Sequence, residues 1–320
     1  MSFEKNMGPR LRGDDIQDFP SLDSIGLLVA APLLNLQLVL NGLSVGAVFA
    51  LVAYGLALVW GVTNVKNLAQ GDLVMLGGFL GLKLSEHGVH PILAIVPVAV
   101  LMFGFGWVLY RLMIRRVIAL DLFTSLLATF GLAITIQQSL NLIFGPEVRT
   151  MQSGFGQLEL FDGSVEITWI RVIAFGLCLA VAAAMVLFLR KSRLGQAIRA
   201  TAQDPRAARV LGVDTDLVYS LTFSLNAALC GAAGVIVGLI WVLQPFYGIG
   251  YSVRAFVIVT AAGLGNLPGV ILAALGLGVV EQYSGFLLGA QFQQATVVGL
   301  LLVILLWRTM LLRRQRLALQ

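Results

Sequence analysis

Three ionisable residues, Asp72, Arg254 and Glu281, stand inside or beside stretches that are otherwise almost free of charge. An ionised group at the centre of a bilayer costs roughly 2.5–3.5 kcal/mol on insertion scales, so one that persists there faces a cavity or a partner. Arg254 opens a short apolar segment and Glu281 lies in the span after it; each also suits a headgroup boundary. Asp72 ends the run Asn64-Val-Lys-Asn-Leu-Ala-Gln-Gly-Asp72, which leads into Gly77, Gly78 and Gly81. That pattern predicts a non-helical entry into a short helix, tolerated by lipid only when protein surrounds it. The plainer alternative is a cytoplasmic helix start with Asp72 near its N-terminus. Neutral polar residues Asn41, Ser44, Gln137, Gln138 and Asn226 suit hydrogen bonds between helices or to a passing solute.

Other chemistry finds little support. No Gly-Lys dipeptide occurs, so a Walker A loop is excluded. Gly263-Leu-Gly-Asn-Leu-Pro-Gly269 has the wrong spacing for a dinucleotide loop and joins two apolar segments. His87 and His90, three apart beside Glu86, read as solvated loop residues before they read as metal ligands. No Ser, His and Asp set and no His-Glu-x-x-His points to a hydrolase. The two cysteines, Cys178 and Cys230, lie in apolar surroundings and form neither a disulfide framework nor a metal spacing.

The elements that must carry these residues are membrane spans. Of 320 residues 58% are hydrophobic and 12% charged, and the mean hydropathy is +0.92, too little charge to cover a soluble surface. A span needs about 20 apolar residues. Segments 36–61, 122–144, 168–189, 217–241 and 268–289 reach that length, with 91–110 close behind; 68–84, 253–265 and 293–307 are shorter. The fold expected is an all-α integral membrane protein of about eight transmembrane helices with two shorter or broken segments. The two short glycine-bearing segments, each after one long span and before another, suit two structural repeats flanking a path.

Orientation follows from Lys and Arg in short loops. Arg111, Arg115 and Arg116, then the group from Arg190 to Arg209, then Arg308 to Arg316 should be cytoplasmic; 145–166 is then outside, and 253–265 must cross or nearly cross. Residues 1–35 form an acidic extension with a candidate interfacial helix at 25–34, residues 36–312 the transmembrane region, and 313–320 a basic cytoplasmic tail. Within the loop 190–214, alanine-rich 194–203 suits a short helix. Asp204 suits an N-cap, Pro205 the first helical position and Gly212 the C-terminal cap of a second, exposing Arg206 and Arg209 with Ala207, Ala208 and Leu211 as apolar contacts. So short a helix needs clamping by its neighbours or a docked partner.

The stretch Asn41-Gly-Leu-Ser-Val-Gly46 through Tyr54-Gly-Leu-Ala57, followed by Asn67-Leu-Ala-Gln-Gly-Asp72, resembles the opening of the branched-chain amino acid ABC permeases of the LivH type. Residues Gly195 to Val213 look like that family's cytoplasmic loop, and Ala255-Phe256 through Gly269 is similar to its late glycine-rich signature. Gln70 and Asp72 stand where the family usually has His and Glu. The resemblance implies an ABC importer permease subunit in a bacterial inner membrane, not itself an enzyme, with its C-terminus cytoplasmic. It implies no cofactor or metal of its own, ATP being bound by two cytoplasmic ATP-binding subunits. The other implied partners are a second LivM-like permease subunit, an extracytoplasmic solute-binding protein and membrane lipid, with no nucleic acid. Arg199, Asp204, Arg206, Ala207, Ala208, Leu211 and Gly212 are then expected at the ATPase-docking surface, and Asn41, Gln70, Asp72 and Arg254 along the translocation path. Urea or short amides are the alternative solutes. An ion-coupled secondary transporter using Asp72 and Glu281 is the alternative machine.

Overall fold

A computed structural model describes residues 31–118, 122–151, 154, 156–160, 165–263 and 265–317. The acidic extension up to residue 30, most of the candidate interfacial helix and the last three residues of the basic tail lie outside them.

Eleven helices follow in chain order among the described residues. They are α1 (Pro32–Thr63), α2 (Gln70–Glu86), α3 (Ile95–Val117), α4 (Leu122–Phe144), α5 (Trp169–Lys191), α6 (Arg193–Gln203), α7 (Pro205–Val210), α8 (Thr215–Ile240), α9 (Gly248–Ala262), α10 (Leu267–Leu288) and α11 (Gln293–Leu317). Seven of the helical stretches are long and apolar enough to cross a membrane, counting α9 with the 3-10 turn Pro245–Tyr247 that precedes it; α2 and the apolar part of α11 are shorter. The protein is a multi-pass membrane protein, nearly all helical.

Three features add to or differ from the expected layout. First, in the loop after α4, β1 (Gln157–Leu160) pairs antiparallel with β2 (Val165–Thr168), setting Gln157 opposite Thr168. Second, α3 runs on through Arg111, Arg115 and Arg116 by way of a π-helical turn, Tyr110–Ile114, because these long side chains reach out of a helix that is otherwise apolar. Third, α9 opens at Gly248, five residues before the expected start, and α1 opens at Pro32, four residues before the expected span, with the proline at the first helical position.

Burial separates the inner helices from the lipid-facing ones. In the most apolar window of α1, 89% of residues are buried, and in that of α8, 83%; the values for α3, α4 and α5 are 28%, 28% and 22%. A helix apolar on all sides belongs in the interior. The packing partners are exchanged between halves: α1 packs on α9 and α10 from the second half, and α8 on α2 and α3 from the first. Small residues permit the close approach. A Cβ on Gly46 would sit 2.7 Å from the Ala274 carbonyl of α10, and one on Gly77 would sit 2.9 Å from the Gly231 carbonyl of α8. This exchange of partners suits the expectation of two repeats flanking a path.

Candidate functional site

The short helices do not start at the membrane edge. Gln70, the first residue of α2, donates from Nε2 to the Val52 carbonyl of α1 and to Asn226 Oδ1 of α8, both at 2.9 Å. Val52 lies eleven residues from the Thr63 end of α1 and Asn226 eleven from the Thr215 end of α8 (63 − 52 and 226 − 215), about 16 Å in at ~1.5 Å per residue. Helix α9 opens at the same depth, because Gly71 and Asp72 pack directly on Gly248. A Cβ on Gly71 would run into the Gly248 carbonyl, and one on Gly248 would run into the Asp72 carboxylate. The two N-termini therefore meet inside the protein, with residues 64–69 leading to one and 241–247 to the other.

Non-helical backbone at this depth must be hydrogen-bonded internally. Thr129 of α4 donates to the Lys66 carbonyl and accepts from the Leu68 amide, both at 3.3 Å. Ser252 of α9 donates to the Leu68 carbonyl and accepts from the Gly71 amide, both at 2.8 Å. Asn67 Oδ1 accepts from the Ala69 amide at 3.1 Å. On the other strand, Leu243 and Arg149 exchange amide bonds of 2.7 and 2.9 Å, tying the descending chain to the outer loop.

Asp72 is 1% exposed and accepts from Gln137 Nε2 of α4 at 2.9 Å. It sits in the first turn of α2, beside the first residue of α9, where two helix N-termini present positive partial charge. It is not the N-cap: Ala69 holds that position. Gln70 is wholly buried. Asn41 accepts from Arg171 Nη1 of α5 at 2.7 Å. Among the four residues expected along a path, Arg254 alone lines one of the described cavities.

That cavity, about 500 Å³, lies among α1, α9, α10 and the start of α11, with Trp241 and Tyr247 from the outer connection at its rim. Arg254 forks onto Glu281 there: Nε donates to Oε1 and Oε2 at 3.1 Å each, and Nη2 donates to Oε1. Glu281 is 4% exposed and the Arg254 side chain 18%, so this is a largely desolvated pair. The guanidinium carbon stands 5.2 Å from the centroid of the Phe49 ring, and Trp241 stacks on the same ring at 6.4 Å.

A second cavity, about 620 Å³, opens between the Thr63 end of α1, α6 and the start of α10, lined by Trp60, Arg199, Gln203 and Pro205 among others. Beside it stand α6 and α7. Ser192 caps α6 by accepting from the Gly195 amide at 2.8 Å. Asp204 Oδ1 caps α7 by accepting from the Arg206 and Ala207 amides at 2.8 and 3.1 Å. Gly212 follows in the left-handed region, φ +86°. Arg206, Ala207 and Leu211 are exposed, Leu211 to 82%. Ala208 is not: at 3% exposure it is the inward anchor of α7, a correction to its expected place on the docking face, because α7 rests on α6 and α8 and one side of so short a helix must face them. Arg199 is exposed, 3.5 Å from the Arg190 carbonyl.

A family model for the permease component of branched-chain amino acid transport systems matches residues 38–306. The chain belongs to this family. The LivH permease protein of a high-affinity branched-chain amino acid transport system in Salmonella typhimurium is 29% identical over 287 residues, 85% of this chain and 92% of its own. The BraD permease protein of Pseudomonas aeruginosa is 29% identical over 85% of this chain and 94% of its own. A LivH protein of Methanocaldococcus jannaschii is 24% identical over 76% and 78%.

In this permease, the residues that sequence reasoning left aside are Thr129 and Ser252, whose hydroxyls satisfy the buried α2 entry, and Val210, 87% exposed beside Leu211; Cys230, read there only as apolar, accepts from Gln70 at 3.2 Å. A hydroxyl in an apolar run gives no signal of which distant backbone it meets. Val210 was legible: it follows Arg209 on a helix too short to bury it.

Proposed function

We propose that this permease is the membrane-spanning subunit of an ATP-driven importer of branched-chain or related amino acids. In this reading it holds no nucleotide site. It lies in a bacterial inner membrane with its C-terminus cytoplasmic, and is assembled with two ATP-binding subunits, a second permease subunit and an extracytoplasmic binding protein. The names of the relatives support the solute class. The observation that carries the mechanism is α7. This is a six-residue helix, capped at both ends and anchored by Ala208, that leaves Val210 and Leu211 exposed at the face where a cytoplasmic partner would stand. Exposed apolar residues on a rigid short helix suit docking better than they suit solvent.

In this mechanism ATP binding moves the docked subunits, α7 moves with them, and α8 carries the displacement into the spans, since α7 leads into α8 within five residues and Arg209 Nη2 donates to Thr215 Oγ1 at 2.7 Å. The path then alternates between faces, an equilibrium shifted by the difference in binding free energy between its two states. Replacing Val210 and Leu211 by Asp tests this. The expected result is normal membrane insertion and permease pairing, with ATP-driven uptake and co-purification of the ATPase subunits both lost. Wild-type uptake and co-purification would contradict the docking role. Glu281, which the ion-coupled alternative would use as an ion-linked carboxylate, is paired with Arg254 in this structure.

A further inference from the structure

The Arg254–Glu281 pair lies in a cavity that opens, on the charge argument, to the side from which solute arrives, and its chemistry matches both parts of an apolar α-amino acid. The geometry points to this cavity as a binding station where a zwitterionic amino acid exchanges partners with the pair: its carboxylate to Arg254, its ammonium to Glu281, its side chain against Phe49 and Trp241. This deepens the importer reading and rests on it.

The guanidinium uses Nε and Nη2 on Glu281, while Nη1 has no hydrogen-bond partner among the described residues. A guanidinium with an open edge is suited to a second carboxylate. Phe49, with Trp241 stacked at 6.4 Å and Tyr251 edge-on at 6.3 Å, gives the adjoining apolar wall. The volume, about 500 Å³, falls within the roughly 300–1,000 Å³ of small-molecule sites. Charge decides the class. A net-neutral solute with both charges can replace each half of the ion pair for the other without leaving either buried charge uncompensated, whereas a solute carrying one charge leaves the other half unpaired. The pair is thus specific for a zwitterion with an apolar side chain, over either the corresponding acid or amine.

A merely structural clamp between α9 and α10 would tolerate an apolar replacement of similar volume, because well-packed apolar residues substitute for buried ion pairs at little cost. The test is therefore the paired variant Arg254→Met with Glu281→Met. It is reconstituted in vesicles with the ATP-binding subunits, the second permease subunit and the binding protein, with radiolabelled leucine as probe. The expected result is assembly and binding-protein-stimulated ATP hydrolysis as in the wild type, with maximal leucine uptake lowered by about tenfold or more and KM for loaded binding protein unchanged. Uptake at the wild-type rate would overturn the assignment. A measurement on the unmodified complex, without binding protein, covers the case where the variant fails to assemble. Leucine should bind at millimolar concentration or below and be displaced by valine, but not by isocaproate, which lacks the ammonium, or by isoamylamine, which lacks the carboxylate. No leucine binding in that range, or equal displacement by either analogue, would overturn it. If the wild-type assembly shows neither stimulated ATP hydrolysis nor uptake, the importer reading itself falls, and that result is separate from both.

Discussion

Gln70 ties together three elements that the chain keeps far apart: its amide reaches Val52 on α1, Asn226 on α8 and, at 3.2 Å, Cys230 one turn further on. The sequence places Asn226 in a mainly apolar span and Gln70 in the polar run just before a short one, which identifies both as residues in need of partners. It cannot say that they partner each other, since 156 residues separate them and no local pattern sets which spans touch. Two substitutions separate the members of this network. Gln70→Leu strands Asn226 and Asn67, while Asn226→Leu leaves Gln70 its bond to Val52. Both should destabilise the purified protein by about 1–3 kcal/mol, Gln70→Leu by more. Thermal unfolding in detergent checks the order, and a smaller loss for Gln70→Leu would contradict it. Gly71→Ala is a harsher change, because the added carbon meets the Gly248 carbonyl, backbone that cannot swing aside. Its expected outcome is loss of the monodisperse peak on size-exclusion chromatography.

Helix existence was readable wherever about 20 apolar residues ran uninterrupted: the segment expected at 122–144 is α4 to the residue. Depth was readable only in part. Hydropathy counts apolar residues without saying where in the membrane a helix begins; the polar run Asn64 to Asp72 pointed to a protein-surrounded entry for α2, whereas nothing in Trp241 to Gly248 announces that α9 opens at the same depth. The caps of α7 were readable because Asp204, Pro205 and Gly212 each satisfy a backbone requirement within a few residues. The inward turn of Ala208 depends on how α7 rests on α8, a tertiary contact that its own six residues do not encode. Removing the cap by Asp204→Ala should cost about 1 kcal/mol. Hydrogen exchange at the Arg206 and Ala207 amides should then quicken roughly fivefold, as that free energy implies, with the α8 core unchanged. Ala208→Glu, by contrast, should unseat α7 altogether, so it is a control for folding and not a probe of docking.

Across the whole molecule, the orientation proposed from charge placement puts the amino end of α1, the hairpin β1–β2 and the start of α11 outside, and α6, α7 and the end of α11 inside. The exchange of packing partners between halves was foreshadowed by two short glycine-bearing segments. That foreshadowing stopped short of which half packs on which, because the sequence shows spacing and not contact. Single cysteines test the topology, aided by the burial of both native ones, Cys178 at 1% and Cys230 at 0% exposure. In intact cells a membrane-impermeant maleimide should label a cysteine at Glu86 or Glu147 and spare one at Arg206 or Leu211; the reverse pattern would invert the molecule.

The central claim is that this chain has no motor and is moved through α7 by one it recruits. Vesicles containing the permease pair decide it most directly when solute accumulation is followed under two driving forces. Leucine should accumulate when ATP, the ATP-binding subunits and the binding protein are all present, and should not accumulate under a proton or sodium gradient alone. Accumulation driven by the gradient, without ATP or those partners, would contradict the account.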